Sequence, residues 1–338
     1  MPEKYRPPYV PVPAIVRMVG EIAEWVGRHA LENEVALTPR LRRGNRIRTV
    51  QASLAIENNS LTLEQVTTVF NGKRVLGLPR EIQEVRNAFA AYDVMDRWNP
   101  ASSIDLLEAH KILMHGLVDR AGAFRRGGIG VFRGRRVVHV APPAKHVPGL
   151  IGDLLNWLEL TDEHSLIASC LFHYEFEFIH PFQDGNGRMG RLWQTLILSK
   201  WKPVLSYVPV ETVIRDRQEE YYRVLAYSDK EGNATPFVVF MLDALLAAIK
   251  EIAAADQVTD QVSDQVGRLL KLLEKGEAGA VALMIGLGIS HRPTFRENYL
   301  DPALAAGLIV RTQPHSPRSP TQRYRLSEIG RVILVKQK

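Results

Sequence analysis

One run of the chain gathers the residue types of a reactive site: His180-Pro181-Phe182-Gln183-Asp184-Gly185-Asn186-Gly187-Arg188-Met189-Gly190-Arg191. Apolar residues recur at helical spacing on both sides, over Ser165 to Ile179 and Arg188 to Trp201, so the run is a loop feeding the start of a helix. Unpaired N–H groups and the helix dipole make such a start an anion site, and Gly185 and Gly187 let a phosphate approach the backbone closely. Arg188 and Arg191 are three residues apart, share a helix face and can fork onto phosphate oxygens. Asp184 beside the same phosphates suits Mg2+, which takes a protein carboxylate together with phosphate and water oxygens. His180 is the group of the loop whose ordinary pKa suits a general base near neutrality. These parts describe nucleotide phosphoryl transfer. The loop is not a Walker loop, because no Gly-Lys-Ser/Thr follows the glycines. The plainer alternative is a turn at Asn186-Gly187 with His180 as a core residue and the arginines as a solvated face; helical rather than strand-like flanks argue against a hairpin there.

The elements that must position this loop are mostly helical. Apolar periodicity predicts helices over Ile15 to Ala30, Arg46 to Glu57, Leu63 to Phe70, Pro79 to Trp98, Ser103 to Leu117, Val147 to Leu160, Asp216 to Ser228 and Pro236 to Ala254. A Pro-rich opening at Pro7, Pro8, Pro11 and Pro13 reads as an extended arm. Two β-branched runs around Arg133-Gly134-Arg135-Arg136 give one hairpin over Gly127 to Pro142, which must rest on the helices. Asp-Gln-Val recurs at Asp256, Asp260 and Asp264; the four-residue step predicts a helical linker and sets the domain boundary. Beyond it, helices over Val266 to Lys275, Ala278 to Leu287 and Pro293 to Ala306 precede two strand-like runs, Leu308 to Thr312 and Gln322 to Leu326. That is the order of a winged helix-turn-helix. The expected organisation is an N-terminal helical region (1–100), a catalytic core (101–255), a linker (256–265) and a C-terminal module (266–338).

With 338 residues, 46% hydrophobic and 24% charged, the chain is an ordinary globular protein rather than a disordered, collagen-like or coiled-coil one. The single cysteine, Cys170, excludes an internal disulfide, and a cytoplasmic protein without a membrane span or signal peptide is the expectation. The net charge of +6 invites a nucleic-acid reading, but residues 265–338 alone carry 12 basic and five acidic residues, a net +7, and leave the rest near neutral. Positive charge is therefore a property of the C-terminal module.

The loop closely resembles the signature of the Fic (filamentation induced by cAMP) family, His-x-Phe-x-Asp/Glu-Gly-Asn-Gly-Arg-x-x-Arg, at every fixed position. Ala121-Gly122-Ala123-Phe124-Arg125, the hairpin, Ala141-Pro142-Pro143 and Tyr221-Tyr222 extend the resemblance over about residues 45 to 250. It implies a Fic-type helical bundle with a β-hairpin flap. The implied activity is adenylylation, the transfer of AMP from ATP to a Ser, Thr or Tyr hydroxyl of a target protein, self-modification included. His180 would take the hydroxyl proton, Asp184 would hold Mg2+, and Gly185, Asn186, Gly187 and Arg188 would hold phosphates. Arg191 would fix the γ-phosphate. The flap at Gly130, Val131 and Phe132 would pin the target segment, and Tyr222 and Asp229, two turns apart on one helix, would meet the adenosine. Asp229 departs from the Asn that the family often has there. Ser53-Leu54-Ala55-Ile56-Glu57-Asn58 resembles the inhibitory Ser/Thr-x-x-x-Glu-Gly/Asn motif in its N-terminal, class II position, with Glu57 pairing with Arg191, Ser53 steadying it and Asn58 ending the helix. The same carboxylate can orient water, so removal of AMP is an alternative. So is phosphate or other nucleotide transfer, though Gly187 and Arg191 favour AMP. A homodimer is a further implied partner. A different class of reading is a DNA-binding regulator, with Arg292, Arg296, Arg311, Arg318, Arg323 and Arg325 of the winged helix on phosphates.

Overall fold

The computed structural model describes residues 5–32, 39–128, 130–133, 136–259, 264–314, 316, 319 and 321–336, with the backbone alone for 28–32, 39–41, 130–133, 136–140, 254–259, 264 and 335–336. The chain falls into two compact units, Met1–Ala36 with Asn45–Ala248, and Leu37–Gly44 with Ile249–Lys338.

The first unit is helical, and two of its helices also include residues 39–44 and 249–259 of the second. Residues 5–12 run without regular structure into α1 (Pro13–Glu32), followed by α2 (Pro39–Ile56), α3 (Leu63–Phe70), α4 (Pro79–Val94) and α5 (Ser103–Leu113). A two-stranded antiparallel hairpin, β1 (Gly130–Arg133) and β2 (Arg136–Val140), interrupts the helices. Then come α6 (Val147–Leu160), α7 (Ser165–Ile179), α8 (Asn186–Trp201), α9 (Val210–Asp216), α10 (Gln218–Glu231) and α11 (Thr235–Thr259). Helices α7 and α8 pack most extensively on each other, and α8 is buried almost all round, from Arg188 to Ser199. A helix buried on every side carries whatever polar groups it has into low dielectric, which is where Arg188 and Arg191 lie. Local signals agree with these elements. Thr62 and Gln65 form a reciprocal capping box at α3. Ser102 Oγ accepts the Asp105 N–H at the start of α5.

Several boundaries differ from the sequence expectation. Helix α2 begins at Pro39, seven residues before Arg46, because proline at the first helical position costs no hydrogen bond and Gly44 is carried along by its neighbours. Helix α5 stops at Leu113 rather than Leu117; Gly116 takes a positive φ of 70° in the turn that follows. Helix α9 is too short for periodicity to reveal.

The second unit contains α12 (Asp264–Leu273), β3 (Ala278–Gly279), α13 (Ala280–Leu287), α14 (Arg292–Phe295), α15 (Asp301–Ala305), β4 (Ile309–Arg311), β5 (Arg323–Leu326) and α16 (Glu328–Lys336). The sheet is antiparallel in the order β3-β5-β4, over a core that includes Leu269, Leu270, Phe295, Ala303, Leu308 and Ile333. Helices followed by strands is the order expected from the sequence, with two differences. The sheet has three strands rather than two, since Ala278 and Gly279 pair with β5 instead of opening a helix. The chain also ends in a helix: Ser327 Oγ caps it by accepting the Gly330 N–H at 2.9 Å, a signal legible in Ser327-Glu328. The repeat at Asp256 to Asp264 falls partly outside the described residues; α11 extends through Thr259.

Candidate active site

Helix α7 ends on His180, whose φ of 49° and ψ of 62° lie in the left-handed region that non-glycine residues seldom adopt. Its N–H donates to the Phe176 carbonyl at 2.9 Å. The conformation is held by Arg125, a buried side chain committed to four carbonyls. Nε donates to His180 O at 2.7 Å, Nη2 to Ile179 O at 3.2 Å and Pro142 O at 2.5 Å, and Nη1 to Gly127 O at 2.9 Å. Gly127 and Pro142 are the two feet of the hairpin segment, so one guanidinium ties the hairpin to the end of α7. Burial works against its charge and lowers its pKa.

The loop is fixed from beneath as well. The Asn186 side chain clasps Phe182, donating to its carbonyl and accepting its N–H, both at 2.9 Å. Phe182 is fully buried and stacks on His110 at 3.6 Å between ring centroids. His110 Nδ1 accepts the Gly122 N–H at 2.8 Å, which leaves Nε2 to donate to Asp184 O at 3.1 Å. Burial pulls the pKa of His110 down to about 4, so the ring is neutral. The amide of Asn186 is thus spent on the loop itself, and only its backbone faces the helix start.

Helix α8 begins behind Gly185, whose φ of 86° and 2.6 Å approach of a would-be Cβ to Met114 Sδ admit no side chain. Asp184 accepts from Gly185 N–H at 2.6 Å, from Arg188 Nη2 at 3.0 Å and from Arg80 Nη2 at 3.1 Å. Arg188 also meets Glu84 at 3.3 Å. Asp184 remains 41% exposed, so this lone carboxylate beside a helix N-terminus fits a Mg2+ that draws its other ligands from phosphate and water. No cluster of three or more His, Cys, Asp or Glu suited to a metal occurs among the described residues.

Arg191 lies one turn further into α8, its side chain 1% exposed. Nε donates to Ser53 Oγ at 3.0 Å, and Nη2 donates to Ser53 O at 2.9 Å and to Glu57 Oε1 at 2.8 Å. Nη1 is buried without a hydrogen-bond partner. A Cβ placed on Gly187 would lie 3.1 Å from that Nη1 and would overlap Glu57 Oε1. Glu57 therefore covers the space above Gly187, and an unused donor of Arg191 lies beside it. Burial opposes the charge of Arg191, but Glu57 and the hydroxyls of Tyr221 and Tyr222 outweigh it and hold the pKa above the usual arginine value.

The end of α2 that presents Glu57 is itself held. Asn58 adopts φ 67° and ends the helix, as its place in the motif suggests. Gln218 Nε2 donates to Ile56 O at 2.8 Å and Tyr222 Oη to the same carbonyl at 3.4 Å. Tyr222 thus meets the end of α2, while Asp229 hydrogen-bonds with Tyr174 on α7. Gly130, Val131 and Phe132 lie in β1, with a register irregularity between the last two; their side chains are outside the described residues. A cavity of about 260 Å³ lies beside the hairpin foot, lined by His110, Phe124, Arg125, Arg126, Gly127 and Gln183. The sequence reading missed the roles of Arg80, Glu84, His110 and Gln218, which only the tertiary fold brings to the loop.

Comparison with known proteins meets this geometry at two places. Residues 100–198 match the Fic/DOC family and residues 264–327 match the family model described as filamentation induced by cAMP protein Fic-like, C-terminal domain. A Fic family protein of known structure from Desulfovibrio desulfuricans G20 is 64% identical, with 96% of this chain and 99% of that one covered and a TM-score of 0.73. The chain belongs to the Fic family. It is also 28% identical over 261 residues to Protein adenylyltransferase Fic of Drosophila erecta, covering 73% of this chain and 49% of the relative, so it spans about half the length of the curated relatives it matches. Fic-1 of C. elegans shares the fold, at 23% identity, a TM-score of 0.59 and coverage of 73% and 72%.

Proposed function

We propose that the chain is a protein adenylyltransferase held in check by its own α2. The observation that carries this reading is the 2.8 Å ion pair of Glu57 with Arg191 above Gly187. The Glu57 carboxylate stands where a triphosphate end would meet the buried guanidinium, so ATP can place its γ-phosphate only when Glu57 withdraws. With Glu57 withdrawn, Arg191 takes the γ-phosphate through Nη1 and Nη2, and the Gly185 to Gly187 backbone at the start of α8 takes the inner phosphates. Arg188 turns from Asp184 to phosphate oxygen, and Asp184 is the residue that would hold Mg2+, which when bound neutralises phosphate charge. His180 accepts the proton of a target hydroxyl as its oxygen bonds to the α-phosphorus, and pyrophosphate leaves. Arginine at 191 with glycine at 187 favours a triphosphate bound for AMP transfer over transfer of a terminal phosphate.

The test is transfer of label from α-labelled ATP. Glu57→Gly raises it at least tenfold, visible first as self-modification, and His180→Ala abolishes it. Label from the γ-position would instead move the reading to phosphate transfer.

A further inference from the structure

The polar seam of α2 extends beyond the inhibitory motif. Arg46 precedes Glu57 by eleven residues, three turns of helix, and Thr49 and Ser53 lie between them on the same face. The Arg46 guanidinium stacks 4.5 Å from the ring centre of Tyr92 on α4 and 5.5 Å from that of Tyr207, in the turn before α9. Its neighbour Asn45 donates to Tyr207 O at 2.9 Å. Glu211 of α9, 1% exposed, accepts from Tyr92 Oη at 3.4 Å, and the cations acting on it are Arg191 and Arg46. Two cations, the half-buried Arg46 of α2 and the buried Arg191 of α8, thus face the carboxyls of Glu57 and Glu211, burial pushing Glu211 up to about 7 while both cations pull it down.

Glu57 alone makes a weak clasp. It lies past the last residue of α2 and its side chain is 33% exposed, the kind of terminal contact that frays first. Arg46 is gripped three turns deeper, between two aromatic rings. We propose that Arg46 is a second anchor of the inhibitory helix, a positioning residue that seats α2 on α4 and α9 and so sets where Glu57 meets Arg191. The inference rests on the reading of Glu57 as inhibitory. Loss of the Arg46 side chain removes both ring contacts and one counter-charge of Glu211, so α2 leaves its seat more often and Glu57 leaves Arg191 with it.

The test compares the unsubstituted full chain with Arg46→Ala, Arg46→Lys, Glu57→Gly and Arg46→Ala/Glu57→Gly. Initial self-modification with α-labelled ATP and hydrogen exchange of the α2 amides without nucleotide are measured for each. Arg46→Ala raises transfer several-fold and speeds exchange over 46–57 while α7 and α8 stay protected. Arg46→Lys, which keeps the charge but not the planar stack, falls between. The double variant matches Glu57→Gly, because an anchor that works through Glu57 has nothing left to act on. Unchanged transfer in Arg46→Ala beside a raised Glu57→Gly, or an equal fall in both backgrounds from a general loss of structure, overturns the proposal. A Glu57→Gly chain no more active than the unsubstituted one overturns the inhibitory reading instead; exchange over α2 then decides the anchor alone, fast exchange in Arg46→Ala sustaining it and unchanged exchange refuting it.

Discussion

Gly187 is where a single methyl group meets both states of the site. Its Cβ would overlap the Glu57 carboxylate and crowd Arg191 Nη1, and on the proposed reading the same space takes phosphate when Glu57 is gone. Gly187→Ala in a Glu57→Gly chain should therefore lose AMP transfer on the order of 10- to 100-fold, read as a rise in KM for ATP with the fold intact by circular dichroism. Two buried histidines give a pH prediction. Burial lowers His110 to about 4 and His173 to about 3, below the ordinary 6.5 of the unfolded chain. Their contribution to stability is fully present above pH 6.5 and is lost as pH falls towards their folded values, because the unfolded chain takes up protons first. Thermal midpoints should drop between pH 6.5 and 5, and His110→Asn should make that drop shallower. At this scale the loop from His180 to Arg191 was legible because its chemistry is local in sequence. Arg80, Glu84 and Glu211 were not, since nothing in their own neighbourhoods says that they will face Asp184 or Arg191.

Among the elements, the hairpin and the end of α7 move as one because Arg125 holds both. A lysine in its place offers a compact ammonium that cannot span four carbonyls, so Arg125→Lys should cost about 2–3 kcal/mol in denaturant unfolding. Turnover should fall more than affinity for ATP changes, because the side chain positions His180 and touches no phosphate; a change confined to KM would contradict that role. Long apolar helices such as α6 and α7 were readable to the residue, α6 by its buried stripe and α7, buried nearly all round, by the polar residues that bound its apolar run. Short elements escaped. Helix α9 has too few turns to show a period, β3 is two residues whose strand character exists only because β5 lies beside it, and α2 runs past Gly44 because proline at its start and packing along its length outweigh local propensity.

For the whole molecule, charge is a poor guide to chemistry. The chain is basic because of its C-terminal module, and even there Arg296 and Arg323 are paired with Asp301 and Glu277, while Arg318 lies outside the described residues. The Pro-rich start, read from sequence as an extended arm, is strapped to the first unit: Pro8 O accepts from Ala234 N–H at 2.7 Å, and Val10 exchanges hydrogen bonds with Thr235. Deleting residues 1–10 should lower the thermal midpoint by a few degrees, about 1–2 kcal/mol for the lost bonds, without touching the loop from His180 to Arg191. On the proposed reading, one ion pair, Glu57 with Arg191, decides whether the site can accept ATP. Its most direct test is the rate of AMP incorporation from α-labelled ATP by the full chain with and without Glu57→Gly, with His180→Ala as the blank. The expected result is a low rate that rises at least tenfold on removal of the carboxylate and vanishes without the histidine; equal rates with and without Glu57 would contradict it.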